Sequence, residues 1–277
     1  MPEGPILDFC DVNLRYEDVW ALKEVCLTLR PGETRIIFGV AGSGKTTLLK
    51  AVIGLVPVDH GHIKVFGEDI TTMREAELFA LRSRAGIVFQ EGGLFDSLTV
   101  GENVEYPLLN RQTTAHGNGA QTSDDVDERV RNALRFVELE HTYEKFPSEI
   151  SGGMRRRVGI ARAIVTEPPL VLYDSPTAGL DPITANTIMA LIAKERDVRN
   201  SASLIVTHRY QDGELMAGFR YDSEHEELIR VTEEGDPRKS RTKFIVMKEG
   251  AIVFFGTQGE LEASDDPYVR HFIKHEE

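Results

Sequence analysis

The order of apolar segments predicts an α/β fold built on a largely parallel sheet with helices on both faces. Two observations carry this expectation. Short apolar runs at residues 34–38, 85–89, 170–173 and 203–206 alternate with helical apolar spacing at 46–54, 74–82, 151–164 and 184–197. Strands buried on both faces read as nearly continuous apolar runs, and the helices covering them carry an apolar stripe. The first run also feeds a glycine-rich loop, Gly39-Val40-Ala41-Gly42-Ser43-Gly44, that opens straight into a helix, the order a phosphate-binding unit requires.

Before that unit, residues 7–14 and 21–29 alternate apolar with polar side chains and predict two strands joined through Tyr16-Glu17-Asp18, with a turn at Pro31-Gly32-Glu33. Residues 63–66 predict a further strand, and 100–111 and 127–138 predict helices. Between those helices, 112–125 is polar and rich in Thr, Gly, Asn and Ser, the composition of a mobile loop. The stretch 218–243 is crowded with charge and reads as an inserted elaboration. Residues 244–247 and 252–255 then form a hairpin about Lys248-Glu249-Gly250-Ala251, and 266–274 a short terminal helix.

Composition limits the rest. A chain of 277 residues can bury one large core, so 1–277 reads as one domain. No apolar run reaches the roughly 18 residues needed to span a bilayer. Met1-Pro2-Glu3-Gly4-Pro5 lacks the basic stretch and apolar core of a secretion signal, so a cytoplasmic location is expected. A net charge of −13 excludes a general grip on nucleic acid. Cys10 and Cys26 lack metal-ligand spacing and are expected to be small buried thiols in a reducing compartment.

The chemistry begins at Gly39-Val40-Ala41-Gly42-Ser43-Gly44-Lys45-Thr46, a complete G-x-x-x-x-G-K-[ST] pattern. Its glycines let backbone N–H groups and a helix N-terminus face a polyphosphate, Lys45 neutralises the outer phosphates, and Thr46 can ligate Mg²⁺. A nucleotide with Mg²⁺ is therefore expected, with Gly39, Gly42, Ser43, Gly44, Lys45, Thr46 and Thr47 around it. This motif alone does not choose among GTPases, kinases and motors, and ATP as the nucleotide is implied by the resemblance that the further motifs carry. Asp174 ends an apolar strand where a metal-organising carboxylate belongs. Ile150-Ser151-Gly152-Gly153-Met154-Arg155 adds a second anion-binding helix end, with Ser151 as its cap. The run Arg155-Arg156-Arg157 reads first as a charged helix face, and the acidic residues at 224–227 and 233–236 as a solvated insertion.

Taken with Gln90, Leu180-Asp181 and Thr207-His208, these motifs resemble the ABC ATPase subunit in their order, over nearly the whole chain. The resemblance implies a P-loop ATPase domain with a RecA-like parallel-sheet core, an N-terminal antiparallel β part, a helical signature lobe near 91–165, and a C-terminal helical extension at 264–277. It makes Tyr16 the platform for adenine and Thr46, Gln90 and Asp174 the Mg²⁺ set. It places Gln90, His208 and Asp181 in catalysis. It also assigns Ser151, Gly152 and Gly153 to the nucleotide of an opposite subunit, so the implied unit is a dimer of ATPase subunits on a multi-pass permease, peripheral on the inner face of the cell membrane.

A finer resemblance lies in Gly92-Gly93-Leu94-Phe95-Asp96-Ser97-Leu98, in S-G-G-M as the signature, and in Asp265-Asp266-Pro267-Tyr268-Val269-Arg270-His271-Phe272. These are similar to the ATPase of Mce-associated, Mla-type phospholipid transporters, which implies an Mce-domain protein and a small accessory subunit as partners. Import of a small solute is the alternative within transport, and a slow ATP-binding clamp the alternative outside it.

One residue departs from the pattern. Ser175 follows Asp174 where the family usually carries a catalytic glutamate. A serine hydroxyl has no basic lone pair near neutral pH, so it cannot replace a carboxylate base. The sequence therefore predicts intact nucleotide binding with impaired hydrolysis, and leaves open whether Ser175 is a natural weakening, is rescued by another base, or is an engineered change.

Overall fold

The computed structural model describes residues 4–112, 123–231 and 241–273. The N-terminal half contains β1 (Leu7–Tyr16), β2 (Val19–Leu29), β3 (Thr34–Phe38), α1 (Lys45–Val52), β4 (His60–Val65), β5 (Glu68–Asp69), α2 (Glu75–Arg82) and β6 (Ala85–Val88). Helices α3 (Val100–Gln112), α4 (Ser123–Phe136) and α5 (Gly152–Ile164) follow, then β7 (Leu170–Asp174), α6 (Pro182–Arg199), β8 (Ala202–Val206) and α7 (Tyr210–Gly218). The chain closes with β9 (Phe219–Asp222), β10 (Glu227–Arg230), β11 (Thr242–Lys248), β12 (Ala251–Gly256), α8 (Gln258–Glu262) and α9 (Pro267–Arg270).

A six-stranded sheet in the order β12-β11-β3-β8-β7-β6 forms the centre, parallel from β11 to β6 with β12 antiparallel at its edge. Its side chains alternate between two cores. Ile36, Phe38, Val171, Tyr173 and Ile205 pack on the side of α3, α4, α5 and α6. Ile37, Leu170, Leu172, Leu204 and Val206 pack on the other side with α1 and the antiparallel sheet β2-β1-β4-β5. Each fully buried aliphatic side chain contributes about 1.5–3 kcal/mol, so both faces must be covered.

Cys10 and Cys26 are exposed, contrary to the expected burial. The antiparallel sheet buries one face only, and both cysteines fall on the other, beside the buried Phe9, Val12, Val25 and Leu27. The polar stretch 112–125 is also shorter as a loop than its composition implies. Gln112 ends α3, and Ser123, Asp124 and Asp125 form the first turn of α4, where acidic side chains complement the helix dipole. Residues 113–122 lie outside the described part.

The charged stretch 218–243 is not one insertion. Gly218 ends α7, β9 and β10 pair as a hairpin against α6, and Thr242 and Lys243 already belong to the central β11. The hairpin is held by Tyr221, whose N–H donates to Asp197 Oδ2 at 2.8 Å, and by Lys194, which lies over both Tyr221 and Phe136. Residues 232–240, including the acidic stretch 233–236, lie outside the described part. The terminal helix is confined to α9, capped by Asp266, whose Oδ1 accepts from Tyr268 N–H at 2.7 Å; Lys274 lies outside the described part.

The arginines of α5 anchor the helix to carbonyls and do not form a free charged face. Arg155 donates to Ile150 O at 3.1 Å, Arg156 to Pro176 O at 2.9 Å and Arg157 to Val137 O at 3.2 Å. Further along, Arg162 donates to Gly92 O and Gly93 O, both at 2.8 Å. A Cβ on Gly159 would lie 3.0 Å from Gly92 Cα, so only a glycine lets α5 approach this loop so closely.

Behind β7, α6 buries Glu195, whose Oε2 accepts from Ser201 Oγ while Oε1 has no hydrogen-bond partner. Burial raises its pKa above the ordinary 4.5, with Ser201 and Arg199 opposing. A raised native pKa means that the stability from protonated Glu195 is full below the unfolded value and is lost as pH rises through the folded value. Glu195→Gln should therefore raise the melting temperature near pH 8 by about 2–4 °C, the shift for about 1 kcal/mol in a domain of this size, and leave it unchanged near pH 4, as read by thermal unfolding at the two pH values.

Candidate functional site

The parallel register brings the C-terminal ends of β3, β7 and β8 to one edge. Val206 pairs with Ile37 on one side and Asp174 on the other, so the loops after these strands are neighbours by construction. A cavity of about 670 Å³ opens over them.

Its floor is the glycine-rich loop. Gly39, Gly42 and Gly44 have φ of 156°, 79° and 103°, and Gly44 is the N-cap of α1. A Cβ on Gly44 would sit 2.2 Å from Ala21 O, and one on Gly39 would sit 2.7 Å from Met247 O. The loop thus needs glycine for space as well as for conformation. Lys45 Nζ donates to Gly39 O at 2.6 Å and Val40 O at 2.8 Å, arching over the loop. Burial lowers the Lys45 pKa, and Asp174 opposes this by stabilising the charged ammonium.

Gly39, Gly42, Ser43, Gly44, Lys45, Thr46 and Thr47 all line the cavity. Gln90, Asp174, Ser175, His208 and Tyr16 also line it. Thr46 Oγ1 donates to Asp174 Oδ2 at 3.3 Å, bringing a hydroxyl and a carboxylate together, and the Gln90 side chain lines the same cavity. This all-oxygen donor set fits a hard cation such as Mg²⁺, which is bound by one or two protein oxygens together with phosphate and water.

Ser175 has a φ of 51°, in the left-handed region. Its N–H donates to Val206 O at 2.9 Å and its hydroxyl to Asp174 Oδ1 at 3.2 Å. Asp174 is the one carboxylate among the described residues lining the cavity.

Ser151, Gly152, Gly153 and Asp181 do not line the cavity. Ser151 caps α5, its Oγ accepting from Met154 N–H at 3.2 Å. Asp181 caps α6, its Oδ1 accepting from Thr184 N–H at 3.0 Å, and the bonds from Thr184 lower its pKa. The second anion-binding helix end thus lies apart from the first within one chain.

Thr207, quoted from sequence with His208, also lines the cavity, as do Trp20 and Ala178, which were not singled out from sequence. Trp20 stands near Tyr16, separated from it by one β-turn, and the Arg15 guanidinium lies 5.3 Å from its ring centroid. Two half-exposed aromatics bracketing a strand-to-strand turn are a signal that alternation along β2 contained.

With this geometry in place, the profile described as "ABC transporter" matches residues 22–178, more than half of the chain. The chain belongs to the ABC transporter family. It is 31% identical over 273 residues to the probable ribonucleotide transport ATP-binding protein mkl of Mycobacterium leprae, covering 99% of this chain and 70% of that protein. It is 39% identical over 199 residues to the methionine import ATP-binding protein MetN of Corynebacterium efficiens, covering 72% of this chain and about half, 53%, of the relative. Among solved structures, the dimeric ATP-binding cassette MJ0796, in a post-hydrolysis state with ADP and Pi, superposes with a TM-score of 0.73 at 28% identity, covering 91% of this chain and 98% of that one.

Substitution of the loop glycines tests the geometry. Gly44→Ala, which meets Ala21 O, should weaken ATP binding by at least about 100-fold, whereas Gly42→Ala, with no atom within 4 Å, should bear only the strain of its positive φ, about 1–3 kcal/mol or roughly 5- to 150-fold in affinity. Titration with a fluorescent ATP analogue checks the ranking.

Proposed function

We propose that this chain is the ATP-binding motor subunit of a membrane transporter. The observation that carries the reading is the single cavity joining the glycine-rich loop, Lys45, Thr46, Gln90, Asp174 and His208. In it the loop N–H groups and Lys45 would hold the polyphosphate, Tyr16 and Trp20 offer aromatic faces to the base, and Thr46, Gln90 and Asp174 would hold Mg²⁺. When bound, Mg²⁺ would supply charge neutralisation. His208 contacts the γ-phosphate and Gln90 orients the attacking water.

Ser151, Gly152 and Gly153 lie outside this cavity, which supports a site completed by the signature of a second ATPase subunit, with Asp181 at the contact between the two. A homodimer is the simplest arrangement. It carries Ser175 in both sites. No described helix is long and apolar enough to cross a membrane, which agrees with a subunit that reaches its permease from the cytoplasmic side.

The cargo we assign is phospholipid or a related hydrophobic molecule, in an Mce-type system with its Mce-domain protein and accessory subunit. The motif from Gly92 to Leu98, the S-G-G-M signature and the segment from Asp265 to Phe272 support it. The match to the methionine import ATPase favours a second reading, import of a small solute. Co-purification separates the two: an Mce-domain protein with the permease supports lipid transport, and a solute-binding protein overturns it.

Ser175 sets the expected turnover. Loss of a general base costs about 10²–10⁴ in rate while leaving ground-state binding intact. Ser175→Glu should accordingly raise phosphate release at saturating ATP by about 10²-fold or more, with ATP affinity within about threefold of the parent. An unchanged rate in the folded variant would remove the missing carboxylate as the cause of slow turnover.

A further inference from the structure

Behind the cavity wall lies a buried carboxylate that the reading above does not use. Asp212, on α7, is 1% exposed. Its Oδ2 accepts from Thr177 Oγ1 at 2.5 Å and from Thr207 Oγ1 at 2.6 Å, and its Oδ1 accepts from Arg209 Nη1 at 3.1 Å. Thr207 Oγ1 in turn accepts from Arg209 N–H at 3.1 Å, so this hydroxyl is used as both donor and acceptor. Thr177 and Thr207 are themselves fully buried.

The positions of the two threonines give the cluster its meaning. Thr177 is the second residue after Ser175, in the turn where Ala178 N–H donates to Ser175 O at 3.1 Å. Thr207 directly precedes His208, and its own N–H donates to Ile37 O at 3.1 Å, two residues before Gly39. One carboxylate oxygen therefore joins the turn that carries Ser175 to the loop that carries His208, and the latter is tied to the strand feeding the glycine-rich loop.

Only a carboxylate satisfies this arrangement. Two hydroxyl donors converge on one oxygen while a guanidinium takes the other, three donors for an acceptor-only group. An amide in its place turns an N–H toward one of these donors and leaves buried polar atoms unpaired, at about 1–3 kcal/mol each. Burial raises the Asp212 pKa, and the Thr177 and Thr207 hydroxyls, with Arg209 and His208, act in the opposite direction.

We propose that Asp212 is a positioning residue for ATP hydrolysis, fixing the Ser175 turn and His208 relative to each other so that the γ-phosphate and the attacking water are held in line. The proposal rests on the ATPase reading of the cavity. It has more weight here than in a site with a carboxylate base, because without a base the rate rests on positioning and charge stabilisation. A misplacement of about 1 Å by a residue remote from the chemistry can cost about 10²-fold.

The test measures equilibrium binding of Mg-ATP and the single-turnover hydrolysis rate separately, in the full chain and in its Ser175→Glu form, for Asp212→Asn, Asp212→Glu and Thr177→Val. Thr177→Val keeps the side-chain volume and removes one hydroxyl. We expect Asp212→Asn and Thr177→Val to slow hydrolysis about 10-fold or more with ATP affinity within about threefold, and Asp212→Glu to recover part of the rate. Rates within twofold of the parent in Thr177→Val overturn the proposal, even where Asp212→Asn fails to fold. Affinity falling in step with rate also overturns it, since the carboxylate would then be only structural. If the parent fails to bind Mg-ATP, the ATPase reading has failed; if it binds and Ser175→Glu still does not hydrolyse, that reading and the positioning role both fall.

Discussion

The site depends on one stretch of parallel pairing, the register in which Val206 faces Ile37 on one side and Asp174 on the other. Hydrogen bonding of β8 between β3 and β7 brings the glycine-rich loop, Asp174 and His208 to a common edge, although they lie far apart in sequence. The register is held by the two cores, because a one-residue slip of β8 would exchange Ile205 with Leu204 and Val206 across the sheet. Burial on both faces therefore defines the geometry at the edge.

At this edge the position after Asp174 is a serine. Ser175 is held by its own N–H on Val206 O, and its hydroxyl is directed at Asp174. The turn is fixed by main-chain and side-chain bonds, and a serine hydroxyl supplies no basic group there.

What the sequence revealed and what it concealed divide along physical lines. The central strands were legible at Leu170 to Tyr173 and Ser203 to Val206 because burial on both faces demands apolar residues in unbroken runs. The glycine-rich loop was legible because Gly39 and Gly44 answer a local demand for space that no other residue meets. Burial of Cys10 and Cys26 was misread because residue type was used where alternation along β1 and β2 decides the face. Ser123 to Asp125 read as loop because the residues that start helices also make turns. The β9-β10 hairpin was hidden by its charges, since its tie to α6 is made by the main-chain N–H of Tyr221 on Asp197. Asp212 carried no local signal, since its three donors converge only once β7, β8 and α7 are assembled.

Arg156 gives the signature helix a direct hold on the catalytic turn. Its guanidinium donates to Pro176 O, the carbonyl next to Ser175, at 2.9 Å. A swing of α5 relative to the central sheet must either drag that carbonyl with it or give up a charge-assisted hydrogen bond of about 1.5–3 kcal/mol. The helix and the turn are thus tied through the main chain: any displacement of α5 would be felt at Pro176, two residues from Asp174, as a pull on its carbonyl.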